Sequence, residues 1–254
     1  LNAHFQTGYA NPFDEAIRRH RAFDVSDYRK LDEIPYDFTR KRLSVLLAHD
    51  GGNLIVTKGA LHRVLEVCTE AERPDDRVVP LEAVREEVED RYARLSAEGF
   101  RVLGVAIRRT AADRIGKSDE PRLTLIGLIV VFDPPRPDAA DAVRELAALG
   151  IRTAIISGDN ALVAAYVGRQ IGMREPRVLT GAELEKIDDH AMARRITDVD
   201  IFAEIEPAQK ERIILALRRA GRIVGYLGDG INDAPALRAA DVGISVESAV
   251  DVAR

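Results

Sequence analysis

The first half of the chain places its apolar residues at alternate positions. Leu43, Val45 and Leu47 share one face of such a stretch, and a turn-forming Asp-Gly-Gly-Asn run follows at residues 50–53. This alternation predicts a β-hairpin over about residues 38–57. The elements predicted next are a helix at residues 81–98, a strand at 101–108 and a polar loop at 110–120. We therefore expect an α+β domain with an antiparallel sheet.

From residue 123 onward, strands alternate with helices, so we predict domains at residues 1–122 and 123–254. This alternation indicates an α/β domain with a parallel sheet and right-handed crossovers. The predicted elements are a strand at 123–132, a helix from near Pro137 to Gly150, a strand at 152–156, a helix ending at Gly172, a strand at 200–203, a helix beginning at Pro207 and strands at 222–227 and 241–246.

The composition is typical of a soluble globular protein, with 46% apolar and 31% charged residues. A net charge of −5 argues against nucleic acid as a partner. No apolar run approaches the roughly 20 residues that cross a bilayer. The one cysteine, Cys68, excludes a disulfide framework and is expected in the core. Because the chain begins at Leu1 without methionine, we interpret it as a piece of a longer protein.

Polar side chains follow several of the predicted strands in the second half. Asp133, the turn at residues 157–159, Lys210, Asp229 and Asp233 all lie at or soon after strand ends. Ligands of parallel sheets bind beyond the carboxyl ends of the strands. Asp229 and Asp233 offer hard oxygen ligands of the kind that Mg²⁺ prefers when it also holds a phosphate. An isolated Asp-Gly pair, in contrast, indicates only a turn.

The turn Ser157-Gly158-Asp159 has two interpretations. A hydroxyl and free N–H groups at the start of a helix can bind a phosphate, whereas Ser157, Asp159 and Asn160 are also good helix caps. Lys210 lies in the first turn of a predicted helix, where a cation opposes the helix dipole. This position favours a role in neutralising a phosphoryl group, and the alternative is an exposed surface lysine.

The head of the predicted hairpin combines an aromatic ring with cations. Phe38 precedes three basic residues at 40–42, and Lys58-Gly59 lies at the end of the partner strand. An aromatic face can stack on a purine, and nearby cations can hold a polyphosphate. The alternative is that Phe38 lies in the core beside a solvated basic face. The histidines show no spacing typical of metal ligands.

Residues 228–237 read Gly-Asp-Gly-Ile-Asn-Asp-Ala-Pro-Ala-Leu, which resembles the hinge motif of P-type cation-transporting ATPases. The whole chain is similar to the cytoplasmic catalytic loop of that family. Residues 1–8, 32–38 and 243–246 most resemble its bacterial magnesium-transporting branch.

The resemblance implies that the first half is a nucleotide-binding domain. Phe38 would stack on adenine, Lys58 would line the pocket floor, Arg101 would reach the phosphates, and Asp14 matches an acidic position near the adenine. The complete implied set of nucleotide-binding residues is Asp14, Phe38, Arg40, Lys58, Gly59 and Arg101.

For the second half, the resemblance implies a phosphorylation domain with a haloacid dehalogenase-like Rossmann fold. Asp229 would bind Mg²⁺, Asn232 would support the phosphorylated loop, and Asp133 belongs to the hinge strand between the domains. The implied catalytic residues are Ser157, Gly158, Asp159, Lys210 and Asp233.

The family's phosphorylated Asp-Lys-Thr-Gly-Thr segment is absent from the 254 residues. The resemblance therefore implies that this piece binds ATP and Mg²⁺ but is inactive alone, with an incomplete parallel sheet. Its partners would be the membrane and actuator domains of the same polypeptide, at the cytoplasmic face of a bacterial inner membrane. The alternatives are a soluble haloacid dehalogenase-like phosphatase, a pump for another cation such as Ca²⁺, and a non-catalytic nucleotide sensor.

Overall fold

The computed structural model describes residues 1–7, 12–37, 39–49, 51–228 and 233–245. The chain divides into two compact units. The first unit comprises residues 1–95 and 100–132, and the second comprises residues 96–99 and the chain from residue 133 onward.

A mixed sheet forms the first unit. Its elements in chain order are α1 (Asn2–Phe5), α2 (Pro12–His20), β1 (Arg29–Ile34), β2 (Arg42–His49), β3 (Gly52–Ala60), α3 (Leu61–Leu65), β4 (Cys68–Glu72), β5 (Val78–Pro80), α4 (Arg85–Ala97), β6 (Phe100–Thr110) and β7 (Leu123–Phe132). Within the described residues the sheet has seven strands in the order β1-β2-β3-β6-β7-β4-β5. The β4–β7 pair is parallel, and the other neighbouring strands are antiparallel.

The predicted hairpin is confirmed as β2 and β3, which pair Val45 with Val56. Because side chains of a strand alternate between its two faces, β2 contributes to two cores. Val45 and Val56 pack on one face, whereas Leu46 and Ile55 join a larger core with α3 and β4 on the other. The predicted helix at 81–98 is the turn Leu81–Ala83 followed by α4, and the predicted strand at 101–108 is β6.

The strand β7 belongs to the first unit, contrary to the predicted boundary at residue 123. It pairs antiparallel with β6, from Phe100 opposite Phe132 to Ile107 opposite Thr124. Cys68, which is buried as expected, lies opposite Leu123 on the parallel neighbour β4. An apolar run of this length fits either kind of sheet, and its sequence does not specify which strand it pairs with.

Parallel strands form the second unit, as predicted. Its elements are α5 (Ala139–Ala148), β8 (Ile155–Ile156), α6 (Ala161–Gln170), β9 (Val178–Thr180), α7 (Gly181–Glu185), α8 (Asp189–Arg195), β10 (Ile201–Ala203), α9 (Pro207–Arg219), β11 (Gly225–Gly228), α10 (Ala234–Ala239) and β12 (Val242–Ser245). In the described part of this unit the strands form two sheets, with the orders β8-β10-β9 and β11-β12.

Glycine and proline residues mark several of the helix boundaries. Gly150 adopts a φ of 78°, and the N–H of Ile151 bonds to the carbonyl of Leu146, which closes the end of α5. Helix α9 begins at Pro207 as predicted, because proline already has a helical φ. Helix α5 begins at Ala139, two residues after Pro137. None of the helices described is long and apolar enough to span a bilayer.

Candidate functional site

Lys58 and Asp14 form a buried ion pair in the first unit. Lys58 lies near the end of β3 and Asp14 in the first turn of α2, with 7% and 3% of their surfaces exposed. The Lys58 ammonium donates a hydrogen bond to Asp14 Oδ1. Burial lowers the pKa of Lys58 to about 8, since desolvation disfavours the charged amine. The structure thus brings together two of the predicted nucleotide-binding residues.

Arg101 joins this pair through the helix that carries Asp14. Strand β6 lies beside β3, with Val105 opposite Lys58, and Arg101 is near the start of β6. The Arg101 guanidinium lies over the ring of Phe13 at 5.6 Å from its centroid, within cation–π range. Sequence reasoning missed Phe13, although its position beside an acidic candidate was a usable signal. Helix α2 therefore positions Asp14, Phe13 and, through the ring, Arg101.

Gly59 lies inside β3, opposite Arg42. An added Cβ would clash with the carbonyl oxygen of Lys41 and lie 2.5 Å from the Arg42 Cβ. Glycine is therefore required here because the neighbouring backbone comes too close for a side chain. This tight contact holds the Lys58-Gly59 segment against the turn that precedes β2.

Protein groups bind the guanidinium of Arg40. Its Nε donates to Asp37, its Nη1 donates to Glu120 Oε1 at 2.6 Å, and its Nη2 donates to the carbonyl of Pro35 at 2.5 Å. Hydrogen bonds from the backbone N–H and the guanidinium of Arg40 lower the pKa of Asp37 to about 2. Phe38 falls outside the described residues, so its predicted stacking role stays a prediction.

Glu120 is a fully buried carboxylate that sequence reasoning missed. It lies in the stretch predicted to be a polar loop, yet none of its surface is exposed. Its oxygens accept hydrogen bonds from Arg40, from Arg42 Nε at 2.9 Å and from Ser44 Oγ at 2.7 Å. Buried arginines require a compensating anion. Arg40 and Arg42 at the start of a buried strand could therefore have indicated a buried carboxylate.

The turn Ser157-Gly158-Asp159 follows β8 and precedes α6. Ser157 Oγ donates to Asp159 Oδ2 at 2.9 Å and accepts from the Asp159 N–H at 3.0 Å. The helix cap is Asn160, whose Oδ1 accepts from the Val163 N–H. Capping is thus a function of Asn160, while Ser157 and Asp159 bond to each other at the preceding turn.

Lys210 and Asp233 form the second ion pair of interest. Lys210 Nζ lies 2.7 Å from Asp233 Oδ1, and the Tyr226 hydroxyl donates to the same oxygen at 2.8 Å. A Cβ at Gly228 would lie 2.7 Å from the Asp233 Cβ, so glycine permits this approach. The Lys210 side chain is 17% exposed and paired, which argues against the exposed-surface interpretation. Tyr226 was not among the predicted residues.

Three of the predicted site residues remain, namely Asp133, Asp229 and Asn232. Asp133 is exposed and directly follows β7. Asp229 and Asn232 fall outside the described residues. In the ranges that are described, no group of three His, Cys, Asp or Glu side chains converges as a metal site.

A family model for haloacid dehalogenase-like hydrolases matches residues 14–241. The chain belongs to this family. The match agrees with the parallel strands of the second unit and with the mixed α/β content of the whole chain.

Individual relatives extend the similarity to the full chain. A magnesium-transporting P-type ATPase of Salmonella typhimurium (strain 14028s / SGSC 2262) is 42% identical over all of this chain and 29% of its own length. Its counterpart in Escherichia coli (strain K12) is 40% identical over the same shares. A calcium-transporting ATPase of Bacillus cereus (strain ATCC 10987 / NRS 248) is 33% identical over 89% of this chain and 26% of that protein. The chain thus spans less than a third of the length of these relatives.

Proposed function

We propose that this chain is the ATP-binding and catalytic part of a P-type ATPase that drives Mg²⁺ transport through an aspartyl-phosphate intermediate. The observation that carries the proposal is 42% identity to a magnesium-transporting ATPase over the entire chain, hence over both units. The phosphorylated aspartate, the actuator domain and the membrane helices belong to other parts of the parent. Within the parent, this piece would lie at the cytoplasmic face of the membrane. On its own, it would bind ATP without hydrolysing it.

In this proposal the first unit binds the nucleotide. Phe38 stacks on adenine, Asp14 lies near the base, Lys58 and Gly59 line the pocket floor, and Arg101 reaches the phosphates. The buried Lys58–Asp14 pair and the Arg101–Phe13 contact support a single pocket, because α2 connects both. The bonds of Arg40 to protein carboxylates favour a role in holding the pocket wall.

The second unit would transfer the phosphoryl group. Lys210 neutralises its charge, Asp233 and Tyr226 orient the ammonium, and the Ser157-Gly158-Asp159 turn binds phosphoryl oxygens through the Ser157 hydroxyl and backbone N–H groups. Asn232 supports the phosphorylated loop, and Asp133 forms the hinge. Mg²⁺ would offset charge during the reaction. Asp233 Oδ1 already receives two donors, so the proposed metal ligand is Asp229.

Calorimetric titration with ATP tests the proposal on the chain itself. We expect saturable binding at one site, lost in Phe38→Ala and weakened in Arg101→Gln. Arg109→Gln, which changes an exposed arginine on the same strand, is the matched control and retains binding. A folded chain that does not bind ATP would contradict the proposal.

A soluble phosphatase is the second candidate, because the Lys210–Asp233 pair and the hydrolase family match suit it equally. Turnover of p-nitrophenyl phosphate by the chain, without ATP binding, would favour it. Calcium is the alternative cargo, given the 33% identity to a calcium-transporting ATPase. ATP-driven movement of Mg²⁺ or Ca²⁺ across the membrane of vesicles that contain the full-length protein distinguishes the two ions.

A further inference from the structure

Glu120 occupies a central position in the first unit. It lies between the turn Lys117–Asp119 and β7, with none of its surface exposed. One carboxylate oxygen accepts from Arg40 Nη1 at 2.6 Å and Ser44 Oγ at 2.7 Å. The other accepts from Arg42 Nε at 2.9 Å. Both oxygens are therefore bonded, and the buried charge is compensated by two guanidinium groups.

Arg40 and Arg42 also make hydrogen bonds to other parts of the first unit. Arg40 also bonds to Asp37 and to the carbonyl of Pro35. Arg42 Nη1 donates to the carbonyl of Arg63 at 3.0 Å, just before the end of α3. Glu120 thus holds Arg40 and Arg42 on either side of Lys41, whose φ of 48° marks a left-handed turn.

This fixed turn forms the wall behind Lys58 and Gly59. The carbonyl of Lys41 accepts the N–H of Ala60 at 2.9 Å. Gly59 lies opposite Arg42 with no room for a Cβ, and Lys58 lies opposite Leu43. A shift of the turn would therefore displace the backbone that presents the Lys58 ammonium.

We propose that Glu120 is a positioning residue of the nucleotide site, which holds the Arg40–Arg42 turn and through it the Lys58-Gly59 strand. This inference rests on the proposed function. Glu120 itself would not contact the nucleotide. Its charge orders two arginines that would otherwise repel each other.

The test compares Glu120→Gln with Glu66→Gln in the full chain. Glutamine has nearly the same shape as glutamate, so the first variant removes the charge and preserves the packing. Glu66 is the matched control, because its carboxylate approaches the same arginine at 3.9 Å from an exposed position. The backbone amide signals of Lys58 and Gly59 and the Nε–H signals of Arg40 and Arg42 are followed by NMR without ligand, and ATP affinity is then measured by calorimetry.

We expect Glu120→Gln to shift both sets of signals and to weaken ATP binding by about tenfold, whereas Glu66→Gln changes neither. Unmoved Lys58 and Gly59 amides in the folded variant would overturn the inference, as would unchanged ATP affinity. If the glutamine variant does not fold, Glu120→Asp retains the charge but withdraws the carboxylate by one methylene, and we expect the same amide signals to shift. Failure of the unsubstituted chain to bind ATP would contradict the proposed function, while the ligand-free signals still decide whether Glu120 holds the strand.

Discussion

The candidate sites in the two units hold their charged groups in different ways. In the first unit, Lys58 and Asp14 neutralise each other with less than a tenth of either surface exposed. In the second unit, the Ser157-Gly158-Asp159 turn lies at a strand end, half-buried or exposed, and Lys210 keeps part of its surface accessible. The first site is built into a sheet, whereas the second lies where strands end.

This difference predicts that binding and stability are coupled in the first unit and largely separate in the second. A buried ion pair that loses one partner leaves an uncompensated charge, which is strongly destabilising. A partly exposed group that loses a partner can recruit water instead. Substitutions in the first unit should therefore change folding together with nucleotide affinity.

The largest effect is expected from Lys58→Met. This change leaves the Asp14 carboxylate buried without its cation, so we expect a loss of about 3–5 kcal/mol in the free energy of unfolding. Urea denaturation measures it. The double variant Asp14→Asn with Lys58→Met should recover part of the loss, and equal losses in the single and double variants would contradict the coupling.

Gly59→Ala should have the next largest effect. The added methyl group would meet the backbone of Lys41 and Arg42, which cannot move without shifting the strand pair. We expect a destabilisation of about 1–3 kcal/mol. Gly225→Ala is the control in a strand of the second unit, because its nearest atom lies 3.9 Å from the built Cβ. Similar midpoints in urea for both variants would show that the tight approach at Gly59 is unimportant.

The pH dependence of ATP binding follows from the buried amine. Because burial lowers the pKa of Lys58 to about 8, its positive charge is present below that pH and is lost as the pH rises through it. ATP affinity should fall about tenfold between pH 7 and pH 9. Lys58→Arg stays charged over this range, so its affinity should change little. A flat profile for the unsubstituted chain would exclude a contribution of the Lys58 ammonium, on the pocket floor, to ATP binding.

The smallest effect is expected in the second unit, from Tyr226→Phe. Removing the hydroxyl takes one of two donors from Asp233 Oδ1, while Lys210 remains bonded. The expected destabilisation is about 1 kcal/mol. Tyr28→Phe is the control, because the ring of that tyrosine is held by stacking on His49 at 4.3 Å. A loss for Tyr226→Phe as large as that for Lys58→Met would remove the contrast between the units.

Local sequence patterns predicted several elements of the fold correctly. The hairpin of β2 and β3 follows from alternation and a glycine turn, and α9 follows from Pro207. The parallel pairing of the second unit follows from the alternation of strands and helices. For the hairpin and α9, the interactions that specify the element lie within a few residues of it.

Partners distant in sequence were not predictable in this way. The run at residues 123–132 was correctly predicted as a strand but assigned to the wrong unit, because its neighbours β6 and β4 are chosen by tertiary packing. Glu120 bonds to residues nearly 80 positions earlier in the chain, which no local pattern encodes. The contact of Arg101 with Phe13 likewise depends on where α2 packs.

We propose that the first unit binds ATP at the cluster of Asp14, Lys58 and Arg101. The most direct test follows backbone amide signals of the chain by NMR during titration with ATP. We predict saturable shifts at these three residues, with signals of α9 and β10 in the second unit unchanged. Shifts confined to the second unit, or none in either unit at millimolar ATP, would contradict ATP binding at this cluster.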